Sequence, residues 1–156
     1  MEISHFIHRC IEVEKSVASL YRTFTELFPE EKDFWQDLLN DEEEHTSFLK
    51  GSVNMGLTDE LKNSALHPSI DFIETTLRHT ERIRNQIHRN PLSLEDALNV
   101  ALMIEKNMVE TFANDLVARL LSYDDSSLLE NILMGERLHI DKIREKMVKK
   151  GYTRLS

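Results

Sequence analysis

Apolar residues recur every three or four positions along most of the chain, the spacing that lines one face of an α-helix. Ile3, Phe6, Ile7, Cys10, Ile11, Val17, Leu20, Tyr21, Phe24 and Leu27 form the first such stripe and predict a helix over about 3–28. Trp35, Leu38, Leu39, Phe48 and Leu49 predict a second over about 30–50, opened by Pro29-Glu30-Glu31 and ended by Gly51. Proline suits a first helical turn, and acids suit the positive end of the helix. Residues 51–68, broken by Gly51, Gly56 and Pro68, read as a connection. A weaker stripe, Ile70, Ile73, Leu77, Ile83 and Ile87, predicts a helix over about 69–89 that lies across or beside the others and stops at Asn90-Pro91. Ser93-Leu94-Glu95-Asp96 has the look of a capped start for a helix over about 93–121, with Leu94, Ala97, Leu98, Ala101, Leu102, Met108 and Phe112 on its stripe. The capping-box spacing of Ser127 and Glu130 opens the last helix, about 126–150, which ends at Gly151. The expectation is one all-α domain: two antiparallel helix hairpins joined by a long crossover, packed as a four-helix bundle with an extra crossover helix. With only 4 Gly and 3 Pro in 156 residues, long elements are favoured over the many turns of a sandwich or barrel.

Four glutamates interrupt these stripes where a leucine would serve a plain bundle better. Glu14 falls mid-stripe between Cys10 and Val17, whereas Glu12 shares its face with Ser16 and Ser19 and points outward. Glu42 and His45 share the apolar face of the second helix, Glu105 sits mid-stripe in the fourth, and Glu136 and His139 share the face of the last. Residues three apart on a helix lie about one turn apart on one side, so each Glu-x-x-His pair can address one site. In the acidic run Asp41-Glu42-Glu43-Glu44, Glu42 is the inward residue and the others read as a solvated face, a candidate entry path for cations.

Burying four carboxylates together is costly, through desolvation and through mutual repulsion. No inward lysine or arginine is placed to pair them. Two divalent cations would offset the charge, with neutral imidazoles completing the ligand sets. One glutamate from each of two helices plus Glu-x-x-His from each of two others is a recurrent dimetal arrangement of helical bundles. Mixed carboxylate and imidazole donors suit iron, with manganese next and zinc less suited. Tyr21, two turns from Glu14, is placed to lie beside the site as a hydrogen-bonding or redox partner.

The two halves also repeat. Glu14 precedes Tyr21 by seven residues, and Glu105 precedes Phe112 by the same interval. Glu14…Tyr21…Glu42-x-x-His45 and Glu105…Phe112…Glu136-x-x-His139 resemble the ferritin-like superfamily, rubrerythrin-type proteins in particular. The likeness covers roughly 3–54 and 93–150, and Leu94 through Glu105 is similar to the third bundle helix of that group. It implies a ferritin-like fold in which Glu14, Glu42, His45, Glu105, Glu136 and His139 ligate two iron ions, with oxidation of ferrous iron or reduction of peroxide or dioxygen as the chemistry. Against that pattern, Met108 stands where a further glutamate is implied, and Phe112 stands where a phenol is. One cysteine supplies no rubredoxin-like domain, and the chain ends six residues beyond Lys150, without the short extra helix of cage-forming ferritins. Two other functions stand beside this one: a di-iron oxygenase acting on a small organic molecule, and a non-catalytic bundle acting through protein contacts.

Charge and the remaining residues narrow the partners. A net charge of −9, from 28 acids against 19 bases, lacks the basic footprint that nucleic acid requires and favours attraction of cations. No long apolar run predicts a membrane span, the start MEISHFIHRC does not read as a signal peptide, and Cys10 alone cannot form an internal disulfide, so a cytoplasmic location is expected. Metal cations, peroxide or dioxygen, an external electron donor and a second copy of the chain in a homodimer are the expected partners. Cys10 belongs to the first stripe and reads as a buried, inert thiol. His5, His8, His67, His79 and His88 read as residues outside the site, and the methionines as core filling.

Overall fold

The computed structural model describes residues 3–54, 71–87, 89–112 and 126–152; within these ranges some side chains, including those of Met108, Phe112 and Glu136, lie outside the described set. The described residues form five α-helices: α1 (Ile3–Leu27), α2 (Lys32–Asn54), α3 (Asp71–Gln86), α4 (Leu94–Phe112) and α5 (Ser126–Lys150). A 3-10 turn, Pro29–Glu31, links α1 to α2, and no strand occurs among the described residues.

Local chemistry explains the helix ends. Phe28 precedes a proline, which disfavours helical backbone, and it takes φ −124°, ψ 70°. The chain then winds tightly through Pro29–Glu31, so α2 proper starts at Lys32 rather than at residue 30. Gly51 does not stop α2, contrary to expectation; the helix runs on to Asn54. An isolated helical glycine costs only about 1 kcal/mol relative to alanine, too little to end a helix by itself. Gly151, by contrast, does terminate α5. Its φ is +73°, its N–H bonds to Val148 O at 3.0 Å, and Tyr152 N–H bonds to Met147 O at 2.9 Å. That pair of bonds is the Schellman closure, which needs a left-handed residue that glycine supplies without strain.

α3 ends at Gln86, three residues short of the predicted end, where the Gln86 carbonyl accepts hydrogen bonds from the N–H groups of Arg89 and Asn90. α4 is capped as expected: Ser93 Oγ accepts from Asp96 N–H at 3.1 Å. α5 begins at Ser126, which places Ser127 inside the helix. The predicted extension of the fourth helix beyond Phe112, and the start of the third before Asp71, lie outside the described residues.

Contacts fix the directions. Glu14 approaches Glu42 and His45, while Tyr21 and Phe24 pack on Trp35 with ring centroids 5.7 and 4.7 Å apart, so α1 and α2 run antiparallel. Asp41 meets His139, Asp37 meets Lys142 and Glu31 meets Lys146, so α2 and α5 are antiparallel too. α3 packs on α1 and α4, and Arg9 fixes it to α1 through two bonds to Glu74, of 2.7 and 2.6 Å. At one end of the core Tyr21, Phe24 and Trp35 have no exposed surface. Each large apolar side chain buried this fully contributes about 1.5–3 kcal/mol. Leu98, Ala101, Ile104 and Ile143 continue the apolar core along α4 and α5. Thr76 and Thr80 join the buried face of α3, a placement its stripe did not indicate. Met147 is buried, but Met103 is 36% exposed and so is not core filling.

Candidate metal centre

Glu14, Glu42 and Glu105 are all completely buried, and His139 is 3% exposed. The stripe positions that carry them point into the core whatever residue occupies them, so the fold draws the three carboxylates together. Donor atoms of Glu14, Glu42 and His45 lie within 4.8 Å of one another, and so do donor atoms of Glu42, Glu105 and His139. Glu42 belongs to both groups. Five of the six predicted ligand residues are therefore gathered at one place by α1, α2, α4 and α5. The sixth, Glu136, lies on α5 one turn before His139, and its side chain is outside the described residues. The two motif histidines face each other, with ring centroids 6.1 Å apart and planes 28° apart.

Hydrogen bonds orient part of this set. His139 Nε2 lies 2.6 Å from Asp41 Oδ2, while His139 Nδ1 lies 3.4 Å from Glu105 Oε2 and 3.6 Å from Glu42 Oε1. With Nε2–H donating to Asp41, a neutral imidazole turns the Nδ1 lone pair toward the two buried carboxylates. Tyr21 OH donates to Glu105 Oε1 at 2.7 Å, which leaves Oε2 on the side of His139. Tyr21 thus stands beside Glu105, a member of the cluster. The two oxygens of Glu14 meet no donor among the described residues; as carboxylates, Glu14 and Glu42 can hydrogen-bond only if one of them carries a proton.

The electrostatics follow from burial. Desolvation raises the Glu14 carboxyl to about 7, aided by the charge of Glu105 and opposed by Glu42 and His139. Burial also lowers His45, and the neighbouring His139 adds to the effect. For His139 burial again opposes charge, but hydrogen bonding and charge from Glu105 and Asp41 outweigh it and raise the imidazole. The cluster therefore holds excess negative charge that protons partly neutralise. Three buried carboxylates and two imidazoles form a donor set that fits divalent cations.

Outside the cluster the surface assignments hold. Glu12, Glu43 and Glu44 are exposed, Glu12 pairs with Arg9, and Glu43 accepts from Arg22 at 2.8 Å. His5 and His8 are exposed; His67 and His88 lie outside the described residues. His79 contacts Arg82 on the surface of α3. Cys10 is 2% exposed and burial pushes its thiol far up, which suppresses the reactive thiolate.

Asp41 is the residue that sequence reasoning missed. It lies off the apolar stripe of α2, a position that by itself predicts a solvated acid. Its carboxylate is half-exposed, at 46%, yet it reaches across to α5 to hold His139. A comparison of the two Glu-x-x-His copies gave no hint, because the position before Glu136 is Gly135.

Among the described residues, no helix is long and apolar enough to cross a membrane. No family model, curated protein or solved structure matches the chain.

Proposed function

We propose that this chain is a dimetal-carboxylate protein of the ferritin-like, rubrerythrin-like kind, which oxidises ferrous iron and reduces peroxide or dioxygen. The observation that carries the reading is Glu42: one fully buried carboxylate shared by two candidate ligand groups, whose other members are His45 on the same helix and one residue from each of three further helices. A purely structural bundle gains nothing from burying three carboxylates beside one another, and replacing such charges with apolar residues commonly stabilises a protein.

In this reading Glu14, Glu42 and His45 hold one cation and Glu42, Glu105 and His139 hold the other, with Glu136 as the remaining ligand. Bound iron supplies one-electron redox change and open positions at which peroxide or dioxygen can react. The chain's own residues do the rest. Asp41 keeps His139 in the tautomer that offers Nδ1, Tyr21 fixes one oxygen of Glu105, and the near-complete burial of Glu14, Glu42, Glu105 and His139 limits water at the cluster. In the net reaction two ferrous ions give up two electrons to one hydrogen peroxide, and two protons complete its conversion to two waters.

Metal analysis and peroxide consumption test the proposal together. Protein refolded with ferrous iron is expected to hold about two ions per chain, the capacity of a paired site of this type. Glu14→Ala or His139→Ala should abolish metal-dependent peroxide consumption, whereas Glu12→Ala, on the exposed face, should not. Metal-free protein of unchanged stability after chelation would remove the proposal and leave a helical interaction module in its place.

A further inference from the structure

We propose that the solvent-facing groove between α1 and α2 is a binding site for a compact phosphate dianion, as free phosphate or as the phosphate group of a small ester. None of the residues that line the groove belongs to the carboxylate and imidazole cluster, so the inference goes beyond the proposed function and does not depend on it.

The groove has a volume of about 380 Å³, and one spacing builds both of its walls. α1 contributes Lys15, Ala18, Ser19 and Arg22. α2 contributes Glu43, Thr46, Ser47 and Lys50. Each set runs i, i+3, i+4, i+7, which keeps its four residues on one face of the helix, small side chains in the middle and long charged ones at the ends. Arg22 donates to Glu43 at 2.8 Å and so fixes the register of the two antiparallel helices. Two turns further along each helix, that register sets Lys15 opposite Lys50. One end of the groove is thus closed by opposite charges, and the other is flanked by two like ones. Neither lysine has an ion pair or hydrogen bond among the described residues.

Two lysines facing each other in a chain of net charge −9 leave a place for an anion from outside the chain. Each ammonium offers three donors, and a dianion between them replaces their mutual repulsion with attraction to both. The floor adds to this. Thr46 Oγ1 and Ser47 Oγ spend their hydrogens on the carbonyls of Glu42 and Glu43, at 3.0 and 3.1 Å, whereas Ser19 Oγ has no such bond among the described residues and is free to donate. Arg22 gives one of its five N–H donors to Glu43 and keeps others for a ligand reaching along the groove. A phosphate group, with several strong acceptor oxygens, matches donors that arrive from two walls and a floor better than a planar carboxylate does. Extended polyanions such as nucleic acid are opposed by the exposed Glu43 and Glu44 and by the acidic surface as a whole, so a compact anion that lies within the groove is the one favoured.

Calorimetric titration of the whole chain with inorganic phosphate and with methyl phosphate, at fixed ionic strength, tests the site. Both should bind, and the tighter of the two tells whether the free anion or an ester is the natural occupant. Lys15→Met and Lys50→Met should each weaken binding by about tenfold, the low end for a charge-assisted hydrogen bond, and Ser19→Ala by about threefold. Lys149→Met removes the same charge from α5, outside the groove, and should leave the affinity unchanged. The altered lysines are exposed, so circular dichroism of the variants should match wild type and assign the losses to binding rather than to folding. A wild-type chain that binds neither phosphate would overturn the inference, as would acetate binding as tightly as phosphate, or affinity that survives intact in both groove lysine variants. Loss of binding in Glu14→Gln with retention in Lys15→Met and Lys50→Met would place the anion at the carboxylate cluster and overturn it equally. Each of these failures leaves the dimetal reading standing, because no groove residue is a candidate ligand.

Discussion

Removing one buried carboxylate should stabilise the metal-free protein and weaken the metal-bound one. Glu14→Gln keeps the shape of the side chain and deletes its charge. The carboxylate has no exposed surface, its oxygens meet no donor other than what a protonated Glu42 could offer, and the fully buried Glu42 and Glu105 belong to the same cluster. Replacing a buried ion pair by apolar residues of similar volume is often neutral or stabilising by about 1–4 kcal/mol; glutamine removes the charge but keeps a polar amide, so the expected gain here is about 1 kcal/mol, the low end of that range. For a chain of this size each 1 kcal/mol moves the midpoint of thermal unfolding by about 2–4 °C. Urea unfolding followed by circular dichroism, with chelator present, measures the gain directly. Adding metal should reverse the order. A cation at a hundred times its dissociation constant stabilises the folded state by about 2.7 kcal/mol per site, and the variant forfeits one such contribution. If Glu14→Gln is instead less stable than wild type in chelator, Glu14 serves the fold as an ordinary satisfied polar group and the argument from buried charge is wrong.

Three further outcomes probe the frame around the centre. Glu31, with its side chain only 11% exposed, bonds to Lys146 at 2.7 Å and to Lys150 at 2.8 Å, and these two, Lys146 foremost, hold its carboxyl below the ordinary value. A depressed carboxylate stabilises the fold above its unfolded pKa, and that contribution drains as pH falls through the folded value. Glu31→Gln should therefore cost about 1 kcal/mol at neutral pH and progressively less below about pH 4, so a gap that stays constant down to pH 2.5 would contradict the assignment. Gly51 and Gly151 should respond oppositely to alanine: Gly51→Ala, inside α2 with nothing within 4 Å of the new Cβ, should stabilise by about 0.5–1 kcal/mol. Gly151→Ala, at φ +73°, should destabilise by about 1–2 kcal/mol, and urea midpoints of the pair decide both. The forked contact between Arg9 and Glu74 should show a coupling of about 1 kcal/mol in a double-mutant cycle of Arg9→Gln and Glu74→Gln, and additive losses would mean that α3 is held by its apolar face alone.

Periodicity alone determined a good deal of this protein. An apolar residue every three or four positions commits a chain to helices that must bury one face, and the described residues form five helices inside the stretches where that pattern puts them, apart from the few residues by which α2 runs past Gly51. The same rule made Glu14, Glu42 and Glu105 legible: a position on the buried face is buried whatever occupies it, so a carboxylate there must be satisfied by something in the interior. Helix ends were read less well, because they depend on small local energies. Gly51 and Gly151 are the same residue, yet only the second takes the left-handed backbone that ends a helix. Tertiary structure alone decided which of the candidate donors come together. No spacing along the chain indicates that Glu42 stands between two groups, that Glu105 meets His139 across helices, or that Tyr21 donates to Glu105. Asp41 shows the reason most plainly. A residue's face on its own helix follows from the 3.6-residue repeat, but its partner depends on which helix lies opposite, and that is set by the packing of the whole chain.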